Sequence, residues 1–205
     1  MGNTPTLQTE RLLLRKFTPA DLEAVFSIFS DREVNTFLPM FPLETIEEAA
    51  LFLKEKYLDN YARSVGYQYA ICLKTDNRPI GYVHVSGEES HDLGYGLLTG
   101  YWHRGIVTEA AAAVMEELRR AGYSHVTATH DIHNPRSGEV MKKIGMTYRY
   151  SYEEQWQPKD IPVTFRMYQS NFDGREDWVY TKYWEQYPVH FVEKDVSDCQ
   201  KRAFP

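Results

Sequence analysis

The residues from Asp92 to Ala110, DLGYGLLTGYWHRGIVTEA, have types and spacing that suit an anionic ligand. The run reads as a strand that ends, a glycine-bearing loop, and a helix that starts near Gly105. A helix N-terminus presents unpaired N–H groups and about half a positive charge, and glycine lets a ligand approach the backbone closely. Arg104 adds charge at the mouth. Such a loop can hold a phosphate, and the same residues can equally make a plain tight turn between strand and helix. Other reactive side chains form weaker patterns. His130 and His133 stand three apart across a strand end and a loop with no third ligand at a useful spacing, so no metal is expected. Glu88-Glu89 reads as a solvated turn. Cys72 and Cys199 lack partners at metal-ligand spacing and read as free thiols in a reducing compartment.

Alternating strand and helix signals must position these residues. Leu12 to Phe17 reads as a first strand, and Thr18-Pro19-Ala20-Asp21 as a capped helix start whose stripe is Leu22, Val25, Phe26 and Phe29. A second capping box, Thr45 to Glu48, opens a helix with inner face Ile46, Ala49, Ala50, Leu53 and Tyr57. Tyr67 to Leu73 and Ile80 to Val85 read as a hairpin. Asp92 to Leu97 is a further strand, loosened at Gly94 and Gly96 where a bulge or a close approach is expected. A clear helix follows, with stripe Val107, Ala110, Ala111, Val114, Met115 and Leu118, a Glu116–Arg120 pair, and Gly122 at its end. His125 to His130 alternates as a strand, Asn134-Pro135 caps another helix, and Thr147 to Trp156 and Val163 to Phe172 are the last strands.

The pattern implies one α/β domain over residues 7 to 172. Residues 173 to 205 hold seven aromatics, too many for a disordered tail. Tyr180, Trp184, Tyr187 and Phe191 fall at helical spacing there, although Pro188 should end a helix before the last. This extension is expected to pack on the domain or on a second subunit, as in a homodimer. The 205 residues carry a net charge of −6, which makes a poor general binder of nucleic acid. No N-terminal apolar stretch follows a basic region, and no apolar run approaches the roughly 18 residues of a membrane span. A cytoplasmic location, with neither nucleic acid nor membrane as partner, is expected.

Three blocks in order resemble a known family. Tyr101-Trp102-His103-Arg104-Gly105-Ile106-Val107-Thr108-Glu109-Ala110 is similar to the acetyl-coenzyme A loop of the GNAT superfamily of N-acetyltransferases, and within it to the Rim-type branch that acetylates ribosomal-protein N-termini. Asn134-Pro135-Arg136-Ser137 with Val140 and Lys143-Ile144-Gly145-Met146 resembles the branch's second block. Leu7 to Arg15, LQTERLLLR, resembles its opening. Val107 departs from the usual small residue.

The resemblance implies a GNAT fold: a mixed, mostly antiparallel central sheet with a splayed parallel strand pair and flanking helices. The acetyl-CoA pantetheine would wedge between Asp92–Leu97 and His125–His130. Backbone groups of Leu97, Leu98 and Thr99 would pair with it, and the N–H groups from His103 through Arg104, Gly105, Ile106 and Val107 to Thr108 would take the pyrophosphate. Asn134 and Ser137 fall where the family contacts the cosubstrate near its sulfur, and helix capping is their other reading. Asp92 matches the branch's strand acid, a base for the amine, or is an ordinary strand-end aspartate. Met141 stands where other members carry a tyrosine acid, so Ser137 becomes the implied proton donor, with Tyr148 and Tyr150 as nearby alternatives. The implied activity is direct acetyl transfer to a primary amine, on a peptide N-terminus or a small molecule. Deprotonating a lysine amine at pH 7 costs about 4.6 kcal/mol and an α-amine only about 1, so the site leans towards α-amines. A non-catalytic acyl-CoA sensor or interaction module on the same fold is the alternative.

Overall fold

Period-two and period-3.6 apolar patterns build the elements of this chain. The computed structural model describes residues 4–63, 66–194 and 196. Strands β1 (Leu7–Gln8) and β2 (Leu12–Arg15) precede helices α1 (Leu22–Ser30) and α2 (Ile46–Leu53). Helix α2 runs on through a π turn at Lys54–Leu58 into α3 (Asp59–Arg63). Next come β3 (Tyr67–Leu73), β4 (Pro79–Val85), β5 (Leu93–Leu97), α4 (Ile106–Arg120), β6 (His125–Asp131) and α5 (Pro135–Lys143). Strands β7 (Thr147–Trp156) and β8 (Ile161–Asn171), helix α6 (Lys182–Gln186) and strand β9 (His190–Phe191) follow.

The ends of these elements follow local chemistry. At α2 the Thr45 hydroxyl accepts from the Glu48 N–H at 3.1 Å, and the Glu48 carboxylate reaches back, as the capping box predicts. Before α1, Asp21 accepts from the Thr18 N–H at 2.7 Å and from both terminal nitrogens of Arg15. That bidentate pair explains why β2 stops at Arg15 rather than at Phe17: the chain turns there to bring Arg15 onto Asp21.

Every paired strand is antiparallel, in a sheet ordered β1-β2-β3-β4-β5 and another ordered β6-β8-β7-β9. Strands β5 and β6 lie at the facing edges without a ladder between them. They touch at their beginnings, where the Thr127 N–H and hydroxyl both donate to the Ser90 carbonyl, at 3.2 and 3.0 Å. Both run away from that junction, so the pair is parallel and splayed. The expected single sheet is therefore split at this point.

Alternation sorts the core into layers. Leu12, Leu14, Ile71, Val83, Leu93 and Leu97 meet Ala110, Ala111, Val114 and Leu118 of α4. On the other face, Ala70, Cys72 and Tyr82 meet Phe17, Val25, Ile28, Phe29, Leu53 and Tyr57. Burial pushes the Cys72 thiol up to about 12, so it is an inert core group. Cys199 lies outside the described residues.

Some expectations need correction. In α4, Ile106 is the buried residue at the start and Val107 is only half-buried. Glu116 pairs with Arg119 and Glu117 with Arg120, each one turn apart at i,i+3. Ala50 is exposed and Ile46 half-buried, because the π turn shifts the phase by which Tyr57 returns to the core. The extension is not one long helix. Helix α6 spans just Lys182–Gln186, Tyr180 precedes it, and Phe191 pairs with Ser151 in β9. The extension packs Val179, Tyr183, Trp184 and Tyr187 over Tyr150, Tyr152, Val163, Phe165 and Met167, so it roofs one face of the second sheet.

Gly94 and Gly96 show their purpose. The His84 ring lies across Gly94 and the Tyr82 ring across Gly96, where an added Cβ would meet ring atoms at 2.3 and 2.5 Å. Tyr82 also stacks on Phe29 at 5.1 Å and cannot easily yield. Gly96→Ala should therefore cost about 1–3 kcal/mol of unfolding free energy. Gly100→Ala, with open space around its Cβ, should stay within about 0.5 kcal/mol of wild type in the same urea titration. Equal midpoints for the two variants would contradict this packing.

Candidate active site

The splay opens a cleft of about 870 Å³ between the two sheets and the helices that follow their edge strands. One wall is the loop after β5. Its backbone turns sharply because His103 and Gly105 are both left-handed, with φ of +61° and +70°. Left-handed geometry is routine only for glycine, which accounts for Gly105 at the N-cap of α4. His103, Arg104, Gly105, Ile106, Val107 and Thr108 all line the cleft. The first-turn N–H groups of α4 have no partner within the helix, so they offer donors to an anion there.

The opposite wall is the start of α5. The Asn134 side chain accepts from the Ser137 N–H at 3.4 Å, which caps the helix, and both residues line the cleft. Two helix N-termini thus face one space. Arg136 lies over the Trp102 ring at 5.4 Å, Arg104 over Tyr101 at 5.6 Å, and Lys143 joins the lining. Arg136 and Lys143 stand in the second family block but are not read from it as site residues; seven apart in α5, they share one helix face with Glu139 and Val140, and all four line the cleft.

A clamp from the far N-terminus holds the loop. The Arg11 guanidinium donates to the Glu109 carboxylate at 2.6 Å and to the Arg104 carbonyl at 2.9 Å. The Thr9 hydroxyl and the Arg11 N–H also donate to Glu109, at 2.5 and 3.0 Å. Burial opposes the Glu109 charge, yet these donors outweigh it and hold the carboxyl below its usual range. The opening block and the loop block, distant in sequence, are therefore one structural unit.

Not every residue singled out reaches the cleft. Gly96 and Leu97 line it, while Asp92, Leu98 and Thr99 do not. The Leu98 N–H donates to the Ile80 carbonyl at 2.9 Å, and the Leu98 and Thr99 carbonyls accept from Tyr101 and Trp102. The Leu97 carbonyl accepts from the Trp102 indole at 2.7 Å. Tyr148 and Tyr150 also sit elsewhere. Tyr148 meets Ser151 and the Glu193 N–H, and Tyr150 donates to the Tyr180 carbonyl under the extension. Met141 is buried. The hydroxyl that does meet Ser137 is that of Tyr95, at 3.1 Å; its place in mid-strand gave no signal.

Asp92 lies at the beginning of β5, at the junction of the splayed strands. Its carboxyl accepts from the Thr127 hydroxyl at 3.1 Å. Burial pushes it up to about 7, and the Thr127 bond only partly offsets this. A carboxyl so placed can accept a proton near neutral pH. The Tyr183 side chain of α6 stands near Asp92, Ser90 and Thr127, and burial pushes its phenol above the usual tyrosine range. His84, on the same side of the sheet, is pushed down to about 4 by burial and by the nearby Lys56 charge, so its ring is neutral. Among the described residues no cluster of His, Cys, Asp and Glu could hold a metal, and no helix is long and apolar enough to cross a membrane.

Residues 11–147 match the family described as the acetyltransferase (GNAT) domain. The chain is 30% identical over 144 residues to the uncharacterized N-acetyltransferase YnaD of Bacillus subtilis, covering 68% of this chain and 81% of that protein. Its fold is similar to that of the microcin C7 self-immunity acetyltransferase MccE, solved with acetyl-CoA and AMP, at a TM-score of 0.70 and 17% identity over 80% of this chain and 93% of that one. It is likewise similar to RimL, the ribosomal L7/L12 α-N-protein acetyltransferase solved with coenzyme A, at a TM-score of 0.69 and 18% identity over 82% and 99%. At these identities the two structures show the fold.

The raised Asp92 value has a consequence for stability. Asp92 ionises near 4 in an unfolded chain and at about 7 in the fold, so the native state prefers the protonated acid. Its contribution is most favourable below about pH 4, declines as the pH rises to 7, and is a constant penalty above that. Asp92→Asn is neutral throughout, so it should raise Tm relative to wild type at pH 8 and change it little at pH 4. The same Tm difference at both pH values would refute the buried carboxyl.

Proposed function

The chain belongs to the GNAT acetyltransferase family, and on that premise we propose that it takes acetyl-CoA in the splayed cleft and transfers the acetyl group directly to a primary amine. The observation that carries this reading is the convergence of the α4 and α5 N-termini with Arg104, Arg136 and Lys143 on one cleft. Two helix dipoles and three cations suit a ligand bearing several phosphates. In this reading the first-turn N–H groups of α4 bind the pyrophosphate, and Gly105 lets it approach. Asn134 and Ser137 hold the thioester end. Gly96 and Leu97 border the pantetheine channel, with Leu98 and Thr99 supporting it from behind.

Asp92 is the group that takes the proton from the amine, directly or through water, and its value near 7 suits that work at neutral pH. In this reading residues 173–194 of the extension belong to the acceptor side of the molecule. Tyr183 stands over the Asp92 junction and stacks on Tyr152 at 5.3 Å, which keeps water from the carboxyl. RimL acts on a protein α-amine and MccE is solved with AMP, so a protein N-terminus and a small nucleotide are each accommodated on this fold. A peptide or small-molecule α-amine is favoured here, because one weakly basic carboxylate meets a deprotonation cost of about 1 kcal/mol more readily than about 4.6.

Acetyl-CoA at 100 times its Kd should raise Tm by roughly 5–10 °C, since it binds only the native state. Gly105→Val should abolish the shift by forcing a β-branched residue into a left-handed position. An unchanged wild-type melt at saturating acetyl-CoA would end the cosubstrate reading.

Turnover with a panel of peptide and small-molecule amines tests the base. Asp92→Asn should lower kcat about 10²-fold with acetyl-CoA affinity retained, and should remove a rise in activity centred near pH 7. Unaltered turnover would return Asp92 to a purely structural role.

A further inference from the structure

The cleft wall holds two hydroxyls arranged as a pair. Ser137 Oγ–H donates to the Tyr95 phenol oxygen at 3.1 Å, and the Tyr95 O–H donates to the Ser137 carbonyl at 2.8 Å. Tyr95 comes from the middle of β5 and Ser137 from the first turn of α5, so the pair bridges the splay. Both residues line the cleft together with Gly105 and Asn134. Met141, one turn further along α5, is 1% exposed and has no proton to give.

We infer that Tyr95 is a positioning residue for acetyl transfer, one that holds the Ser137 hydroxyl at the departing sulfur and supports its oxygen as the proton leaves. The inference rests on the acetyl-CoA reading of the cleft. In the step, the acceptor nitrogen bonds to the acetyl carbon, the carbon–sulfur bond breaks, and the electron pair departs on sulfur. Sulfur takes the Ser137 proton. The Tyr95 O–H turns from the Ser137 carbonyl to Ser137 Oγ and stabilises it through a charge-assisted hydrogen bond. The proton that the amine gives up restores the serine hydroxyl through solvent.

A serine hydroxyl alone is a weak acid, so the developing charge on its oxygen needs support. Two sources are at hand. The α5 N-terminus is one. The other is Tyr95, whose phenol burial pushes well above the usual tyrosine range, so that it keeps its proton and stays a donor. The geometry also restricts the Ser137 rotamer. With its proton on Tyr95 in the resting state, the hydroxyl is aimed across the splay rather than into solvent.

Steady-state kinetics of Ser137→Ala, Tyr95→Phe and the double variant, at saturating amine and varied acetyl-CoA, test this. Ser137→Ala should lower kcat about 10²-fold and Tyr95→Phe about 10-fold or more, with the acetyl-CoA KM within about threefold. The double variant should be no slower than Ser137→Ala within about twofold, because Tyr95 acts through Ser137. Wild-type kcat in Tyr95→Phe overturns the inference. So do effects that multiply in the double variant, the mark of a role independent of Ser137. Melts of each variant with and without acetyl-CoA separate the two levels: a failed cleft reading shows as no shift in wild type, whereas failure of this inference alone leaves that shift intact.

Discussion

The split between β5 and β6 is the constraint from which the rest of the molecule follows. Two edge strands run side by side but are tied only at their beginnings, by Thr127 donating to Ser90. Beyond that tie the backbone of each strand lacks a ladder partner on the facing side. Buried unpaired backbone is costly, so a gap of this kind persists only where a ligand or water can enter it. The helices that follow the two strands begin beside the gap, and their N-termini therefore point into it. The unpaired strand edges thereby become a cleft onto which two helix N-termini converge.

Three connections keep the gap at its width. The Arg11–Glu109 clamp fastens the loop after β5 to the first strand pair. Tyr95 and Ser137 span from β5 to α5. Asp92, Thr127 and Tyr183 close the beginning of the splay. The Arg11 clamp is largely exposed, whereas the other two lie in buried or part-buried surroundings, where a hydrogen bond is stronger and a missing partner more costly than in water. The same desolvation moves Asp92 up and His84 down, which leaves the His84 ring neutral and Asp92 poised between its two states at neutral pH. Fixed positive charge gathers instead on the cleft, at Arg104, Arg136 and Lys143.

The extension completes this division. Helices α1 and α2 cover one face of the first sheet, and the second sheet would expose Phe165, Met167, Tyr150 and Tyr152 without a matching cover. Tyr187 stacks on Tyr152 at 4.8 Å, and Trp184 meets Tyr150 edge-on at 5.5 Å. The Arg166–Glu193 ion pair at 2.5 Å ties down the end of the segment. Aromatic rings supply large buried area at little entropic cost, which lets a short helix and a two-residue strand serve as a layer. The segment is therefore part of the folded unit, not an appendage on it.

Sequence alone determined the elements whose signals are local. The capping box at Thr45, the α4 stripe from Ala110 to Leu118, the glycine stop at Gly122 and the helix start near Gly105 need only near neighbours, and each is where the pattern put it. The GNAT family was legible too, because its motifs report a loop and two helix starts that are each contiguous in sequence. Contacts between distant segments were not. Nothing local pairs Arg11 with Glu109, Tyr95 with Ser137 or Thr127 with Ser90. The reasons for Gly94 and Gly96 also lie in rings on a neighbouring strand. Hydrogen bonding within one turn is set by spacing along the chain. Which buried hydroxyl meets which, and how far burial moves a carboxyl, depends on the packing of whole layers, and that only the tertiary structure decided.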